Sequence, residues 1–83
     1  MGLFRRRPRP ASPVILYVSD NCGLCDRAER ILEELEIPYE LVSVPDDHAY
    51  RLRTPVLEIL GHVVAEGEID AEVLRRATGR KRR

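Results

Sequence analysis

The chain holds two cysteines, and they stand together as Cys22-Gly23-Leu24-Cys25. An apolar run, Val14-Ile15-Leu16-Tyr17-Val18, lies upstream, and an amphipathic stripe begins at the motif itself. A Cys-x-x-Cys pair at a helix N-terminus presents its first sulfur to solvent and to the positive end of the helix dipole, which favours thiolate. The second sulfur sits one turn further into the helix and can reach back to the first. Such a pair is equipped to accept a disulfide from another molecule and then close on itself. Asp20 and Asp26 flank the motif, and their carboxylates oppose a further negative charge, so the activation is milder than the dipole alone would provide.

The flanking elements must hold this pair in place. Pro8, Pro10 and Pro13 keep the chain extended up to Val14. The run from Val14 to Val18 is rich in β-branched residues and reads as a strand buried on both faces. Ser19-Asp20-Asn21 supplies N-cap candidates. Apolar positions then recur at Leu24, Ala28, Ile31, Leu32 and Leu35, a helix stripe that ends at Ile37-Pro38, with Glu29, Glu33, Glu34 and Glu36 on the outer face. Residues 39–44 form a second strand, parallel to the first, because the connection between them is long enough to hold a helix. Residues 45–51 are short and polar, with room for one or two helical turns. Pro55-Val56-Leu57-Glu58-Ile59-Leu60 and His62-Val63-Val64-Ala65 are two strands joined through Gly61 in a tight hairpin. Asp70 caps a final helix carrying Ala71, Val73, Leu74 and Ala77, closed by Gly79.

At 83 residues the chain is one small domain, near the lower limit for a single hydrophobic core. Two cysteines make no disulfide scaffold, so the pair is reactive or metal-binding rather than a staple. No apolar run spans a bilayer, the basic start lacks the apolar stretch of a secretory signal, and Arg6 occupies the position where myristoylation wants Ser or Thr. The expected compartment is a reducing cytoplasm. The formal net charge of zero conceals segregation: residues 5–9 hold four Arg, residues 80–83 are all basic, and residues 11–79 hold six basic against fourteen acidic side chains, a net of −8. The organisation is thus a basic extended tail (1–12), a domain (13–79) and a second basic tail (80–83). The tails read as solvated termini rather than hooks for nucleic acid or anionic membrane, because neither interleaves aromatics or forms a periodic face.

The order β-α-β, short connector, β-β-α, with Cys-x-x-Cys at the first strand–helix junction and Thr54-Pro55 opening the third strand, resembles the thioredoxin fold in its minimal, glutaredoxin-like form. The resemblance covers residues 13–79. Cys22-Gly23-Leu24-Cys25-Asp26 is similar to the Cys-x-Leu-Cys-Asp of short bacterial glutaredoxin-like proteins, and Gly67-Glu68-Ile69-Asp70 to that group's approach to the last helix. It implies an α/β fold with a four-stranded mixed sheet and helices on its faces. It implies Cys22 as nucleophile and Cys25 as resolving thiol. Pro55 is similar to the family's cis-proline, whose role would be to leave the Thr54 backbone free to pair with an extended substrate. Gly23 and Leu24 would tune potential and packing, and Arg53 and Gly67 would complete the substrate-binding rim. The implied activity is thiol–disulfide oxidoreduction by a dithiol/disulfide cycle, exchanging disulfides with protein or low-molecular-weight thiols. No bound cofactor is implied; the reductant is glutathione or a thioredoxin-type reductase system, and the protein is expected to be a monomer.

Departures from the pattern bear on substrate. Glutaredoxins that bind glutathione well carry a basic residue before the motif, a Thr-Val-Pro and a Gly-Gly pair before the last helix. Here the approach is Ser19-Asp20-Asn21, Thr54 directly precedes Pro55, and Glu66 stands beside Gly67. An acidic rim repels an anionic tripeptide, although Arg51 and Arg53 could partly compensate by meeting a carboxylate. Thioredoxin's Trp before the motif is absent, and Leu16 lies about where its buried carboxylate would be.

Two other classes compete. Cys22, Cys25, His48 and His62 could ligate zinc on paper, but the second half lacks the paired spacing of a zinc site; a cluster bridged between two chains through Cys22 is the variant. A binding or adaptor module with vestigial cysteines is the other. Tyr17, Tyr39 and Tyr50 read as packing or rim residues, since they do not cluster in sequence as a stacking platform would.

Overall fold

A computed structural model describes residues 13–79, and both basic tails lie outside the described residues. Four strands and two helices follow in the order β1 (Val14–Val18), α1 (Gly23–Glu34), β2 (Glu40–Ser43), β3 (Val56–Ile59), β4 (His62–Glu66) and α2 (Ala71–Thr78). The strands form one mixed sheet in the order β2-β1-β3-β4. β1 pairs parallel with β2 and antiparallel with β3, with Leu16 opposite both Leu41 and Leu57. β3 and β4 pair antiparallel, with a register shift at Leu57/Glu58 that leaves Val64 without a partner, a bulge on an edge strand.

Alternation along β1 assigns its side chains to two unlike faces. Val14, Leu16 and Val18 are buried among Cys25, Ala28 and Leu32 of α1, Leu57 of β3, and Ile69 and Leu74 at and within α2. Both helices therefore cover the same face of the sheet, rather than one helix lying on each. Ile15 and Tyr17 point the other way and are only half-buried, so β1 is not buried equally on both sides. The opposite face is covered instead by the connector, residues 44–55. It has room for one or two helical turns but forms none, and it runs as successive turns, with backbone bonds from His48 to Pro45, Arg51 to His48 and Arg53 to Tyr50.

That second face is organised by one carboxylate. Tyr17 Oη donates to Glu58 Oε1 at 3.0 Å and Tyr50 Oη donates to Glu58 Oε2 at 2.8 Å. The two rings meet edge to face at 5.1 Å, and His48 packs at 5.1 Å from Tyr50. Burial, followed by the bond to Glu58, raises the pKa of Tyr17; the pKa of Tyr50 is raised too, with the bond to Glu58 the largest cause. A phenol donating to a carboxylate resists losing its proton.

The helix ends have identifiable stops. α1 ends before Ile37-Pro38: Leu35 is the C-cap, Glu36 takes a left-handed φ of 59°, and Ile37 N and Glu36 N donate to the carbonyls of Leu32 and Glu33. This is a Schellman closure, and Ile37 and Leu32 are both buried in the core cluster, the apolar contact that accompanies such closures. α2 is capped by Asp70, whose Oδ1 accepts from Val73 N at 2.9 Å, and Gly79 ends it in the left-handed region. Leu60 and Gly61, with φ of 53° and 84°, form a two-residue hairpin turn with both torsions positive. No helix among the described residues is long and apolar enough to cross a membrane.

Candidate active site

β1 delivers the motif to one end of the sheet. Between Val18 and the helix the chain turns through Asn21, at a φ of 54°, and the N-cap of α1 is Cys22 itself. The cap is thus not one of Ser19, Asp20 or Asn21. A sulfur takes the place usually filled by a short oxygen side chain: Cys22 Sγ accepts from Cys25 N at 3.1 Å. Because the first turn leaves backbone N–H groups without intrahelical partners, the sulfur that caps the helix also sits where negative charge is favoured.

Cys22 and Cys25 are joined in a disulfide with their Cα atoms 5.2 Å apart. Cys22 is half-buried, whereas Cys25 is 1% exposed and belongs to the core. A partner approaching from solvent therefore meets the Cys22 side of the bond first. Gly23 and Leu24 cross the gap on the outside, both exposed.

Thr54 and Pro55 stand against the pair. The peptide bond between them is cis, Pro55 is buried, and the Thr54 carbonyl oxygen lies 4.0 Å from Cys22 Sγ. Gly67 N donates to the Pro55 carbonyl at 2.8 Å, so Gly67 closes the far side of this segment. Arg53 precedes it, bonded through Nε to Glu66 Oε1 at 2.8 Å, with Nη2 at 2.6 Å from the same oxygen. Thr54 is also tied to the other strand end, its Oγ1 lying 2.6 Å from Ser19 Oγ. Extending the β1–β3 register, in which Tyr17 faces Val56, places Ser19 directly across from Thr54. That bridge could not be read from sequence, because it depends on the register of two strands whose side-chain patterns permit several.

The histidines stand apart from the sulfurs. His48 Nδ1 accepts from Tyr50 N at 2.9 Å within the connector, and His62 opens β4 beside the hairpin turn. Among the described residues no three His, Cys, Asp or Glu side chains converge as a metal-binding group would. Tyr39 is remote from the motif; burial, and then its 2.9 Å bond to Glu33, push its pKa up to about 12.

Residues 14–80 match the family described as Glutaredoxin. The chain belongs to the glutaredoxin family. Thiol–disulfide oxidoreduction is the chemistry of this family, and the chain carries the Cys22–Cys25 disulfide within the matched residues. Among solved structures, it is similar to the Northeast Structural Genomics target protein XcR50 from X. campestris, with a TM-score of 0.63 and 33% identity over 83% of this chain and 99% of that one. It shares its fold with the holo form of glutaredoxin C1 from Populus tremula x tremuloides, with a TM-score of 0.57 and 21% identity over 84% of this chain and 79% of the other. No curated protein sequence matches this glutaredoxin.

Proposed function

We propose that this glutaredoxin is a dithiol reductase of protein or low-molecular-weight disulfides, with Cys22 attacking and Cys25 resolving. The observation that carries the reading is the unequal placement of the two sulfurs: Cys22 half-exposed at the N-cap, Cys25 sealed beneath it. In the reduced protein the Cys22 thiolate attacks one sulfur of the substrate disulfide; a mixed disulfide forms and the other substrate sulfur leaves as thiolate. The Cys25 thiolate then attacks Cys22 Sγ, releasing the second substrate thiol and closing the Cys22–Cys25 bond. Two electrons have passed to the substrate, and a reductant (glutathione or a thioredoxin-type reductase) returns them. Thr54 and Pro55 would seat the substrate backbone against Cys22, with Gly23, Leu24, Arg53 and Gly67 around it. No resident cofactor takes part, the protein acts as a monomer, and the reducing cytoplasm is the compartment that suits a working dithiol.

Trapping tests the assignment. Cys25→Ser is expected to accumulate a mixed disulfide at Cys22, visible as a mass increase that dithiothreitol reverses, and Cys22→Ser to abolish disulfide reduction. Retained reductase activity in Cys22→Ser would overturn the mechanism.

A further inference from the structure

We propose that Glu66 sets the charge preference of the site: by occupying Arg53, it makes disulfides with uncharged flanks, as in neutral protein segments, the favoured substrates over small anionic ones. The proposal deepens the thiol–disulfide reading and rests on it.

The chain segments that frame the disulfide are one-sided in charge. Residues 19–26 and 66–70 bring Asp20, Asp26, Glu66, Glu68 and Asp70 and no basic side chain. The cations next to the docking segment are Arg51 and Arg53, on either side of Leu52 and just before Thr54. Both have a carboxylate already. Arg51 Nη2 lies 3.2 Å from Asp46 Oδ1, and its Nη1 donates to the Val44 carbonyl at 3.4 Å. Arg53 is held from two sides, by Glu66 Oε1 and by the Tyr50 ring, with the guanidinium carbon 5.2 Å from the ring centroid.

Glu66 is well placed to compete for an arriving anion. It sits opposite Val56 in the β3–β4 ladder, one residue from Gly67, whose amide holds Pro55. A substrate carboxylate reaching for Arg53 finds the Nε–Nη2 edge of the guanidinium taken by Glu66, and must either displace that carboxylate, exchanging one ion pair for another, or bind the remaining N–H groups with the like charge alongside. Arg53 and Glu66 are about half-exposed, with side-chain accessibilities of 47% and 45%. Solvent screens such a pair, so the exchange can occur but yields no net attraction. A neutral disulfide meets neither obstacle.

The test uses two small disulfides of like size, bis(2-hydroxyethyl) disulfide (neutral) and 3,3′-dithiodipropionate (anionic), and reads the ratio of their kcat/KM values. Glu66→Gln is expected to raise the anionic-to-neutral ratio about three- to tenfold at low salt, the range for relieving one unit charge at a few ångströms in a solvated site, and the gain should shrink as salt is added. Arg53→Gln introduced into Glu66→Gln should remove most of that gain. A ratio that stays within twofold of wild type in Glu66→Gln overturns the proposal. So does a gain that survives intact in the double variant, since the carboxylate would then act by bulk repulsion and not through Arg53. Failure of the wild type to reduce the neutral disulfide is a different result, which overturns the thiol–disulfide reading itself.

Discussion

Reducing the Cys22–Cys25 bond is expected to destabilise the domain by about 1 kcal/mol, from two opposing contributions. The disulfide closes a very short loop, with a sequence separation of 3; in the chain-entropy account such a closure stabilises by about 2 kcal/mol through the unfolded state. Reduction removes that contribution. It also frees Cys22 Sγ to carry charge while it still caps α1, where it accepts from Cys25 N at 3.1 Å in the disulfide form. A hydrogen bond to a charged acceptor exceeds a neutral one by roughly 1 kcal/mol, so about half of the loss is offset. For a domain of this size a difference of about 1 kcal/mol corresponds to a Tm lower by about 4–8 °C for the reduced form. By linkage the folded pair is more reducing than the same pair in an unfolded chain by about 20 mV. Urea unfolding of the oxidised and dithiothreitol-reduced protein, followed by circular dichroism, measures the difference directly. A reduced form equal to or more stable than the oxidised one would refute the reasoning, and would mark the pair as an oxidant rather than a donor.

Other consequences can be checked singly. Glu36→Gly relieves a left-handed non-glycine residue (φ 59°) at a cost set against the greater freedom of glycine in the unfolded chain; a net gain of about 0.5–1 kcal/mol is expected, seen as a higher urea midpoint at unchanged slope. Ser19→Ala removes the hydroxyl bridge to Thr54 and is expected to raise KM for protein disulfides while Ser19→Thr restores it; an unchanged KM in Ser19→Ala would show that the bridge does not position the docking segment. Tyr39 ionises at about 12 in the folded domain, above the value near 10 of an unfolded tyrosine. Its contribution to stability is therefore complete below about pH 10 and is lost as pH rises through about 12. Phenolate absorbance of the native protein should lag behind that of the urea-unfolded chain across this window, and coincident titrations would contradict it.

Much of this architecture was legible because local signals agreed. The five-residue apolar run, the stripe from Leu24 to Leu35, the Asp70 cap and the Gly79 stop each mark an element within a few residues of where it stands. The motif announced its own chemistry. What escaped depends on partners far apart in the chain. Ser19 looked like a cap because caps are local, yet its hydroxyl serves Thr54 across a strand pair. Arg53 looked available to a ligand because nothing adjacent opposes it, while Glu66 reaches it only through the β3–β4 ladder. Tyr17 and Tyr50 lie far apart in sequence and meet on Glu58, which no periodicity encodes. Cys22 as its own N-cap was hidden by its chemistry, since sulfur is not among the residues that capping preferences rank highly.

The Glu58 clasp beneath the connector bears on how chains of this kind can diverge. The connector enters through Pro45, Asp46 and Asp47, all exposed, is cross-tied by the Pro45–His48 turn and the Asp46–Arg51 pair, and is fastened to the sheet where Tyr50 reaches the carboxylate. Insertions at 46–47 would open the Pro45–His48 turn and loosen the exposed Asp46–Arg51 pair, a small loss at a solvated site, whereas a shift of Tyr50 would move the residues just before Thr54. Length can therefore drift in the first half of this segment, even to the point of growing a new element over the sheet, while its second half stays bound to the geometry of the sulfur site.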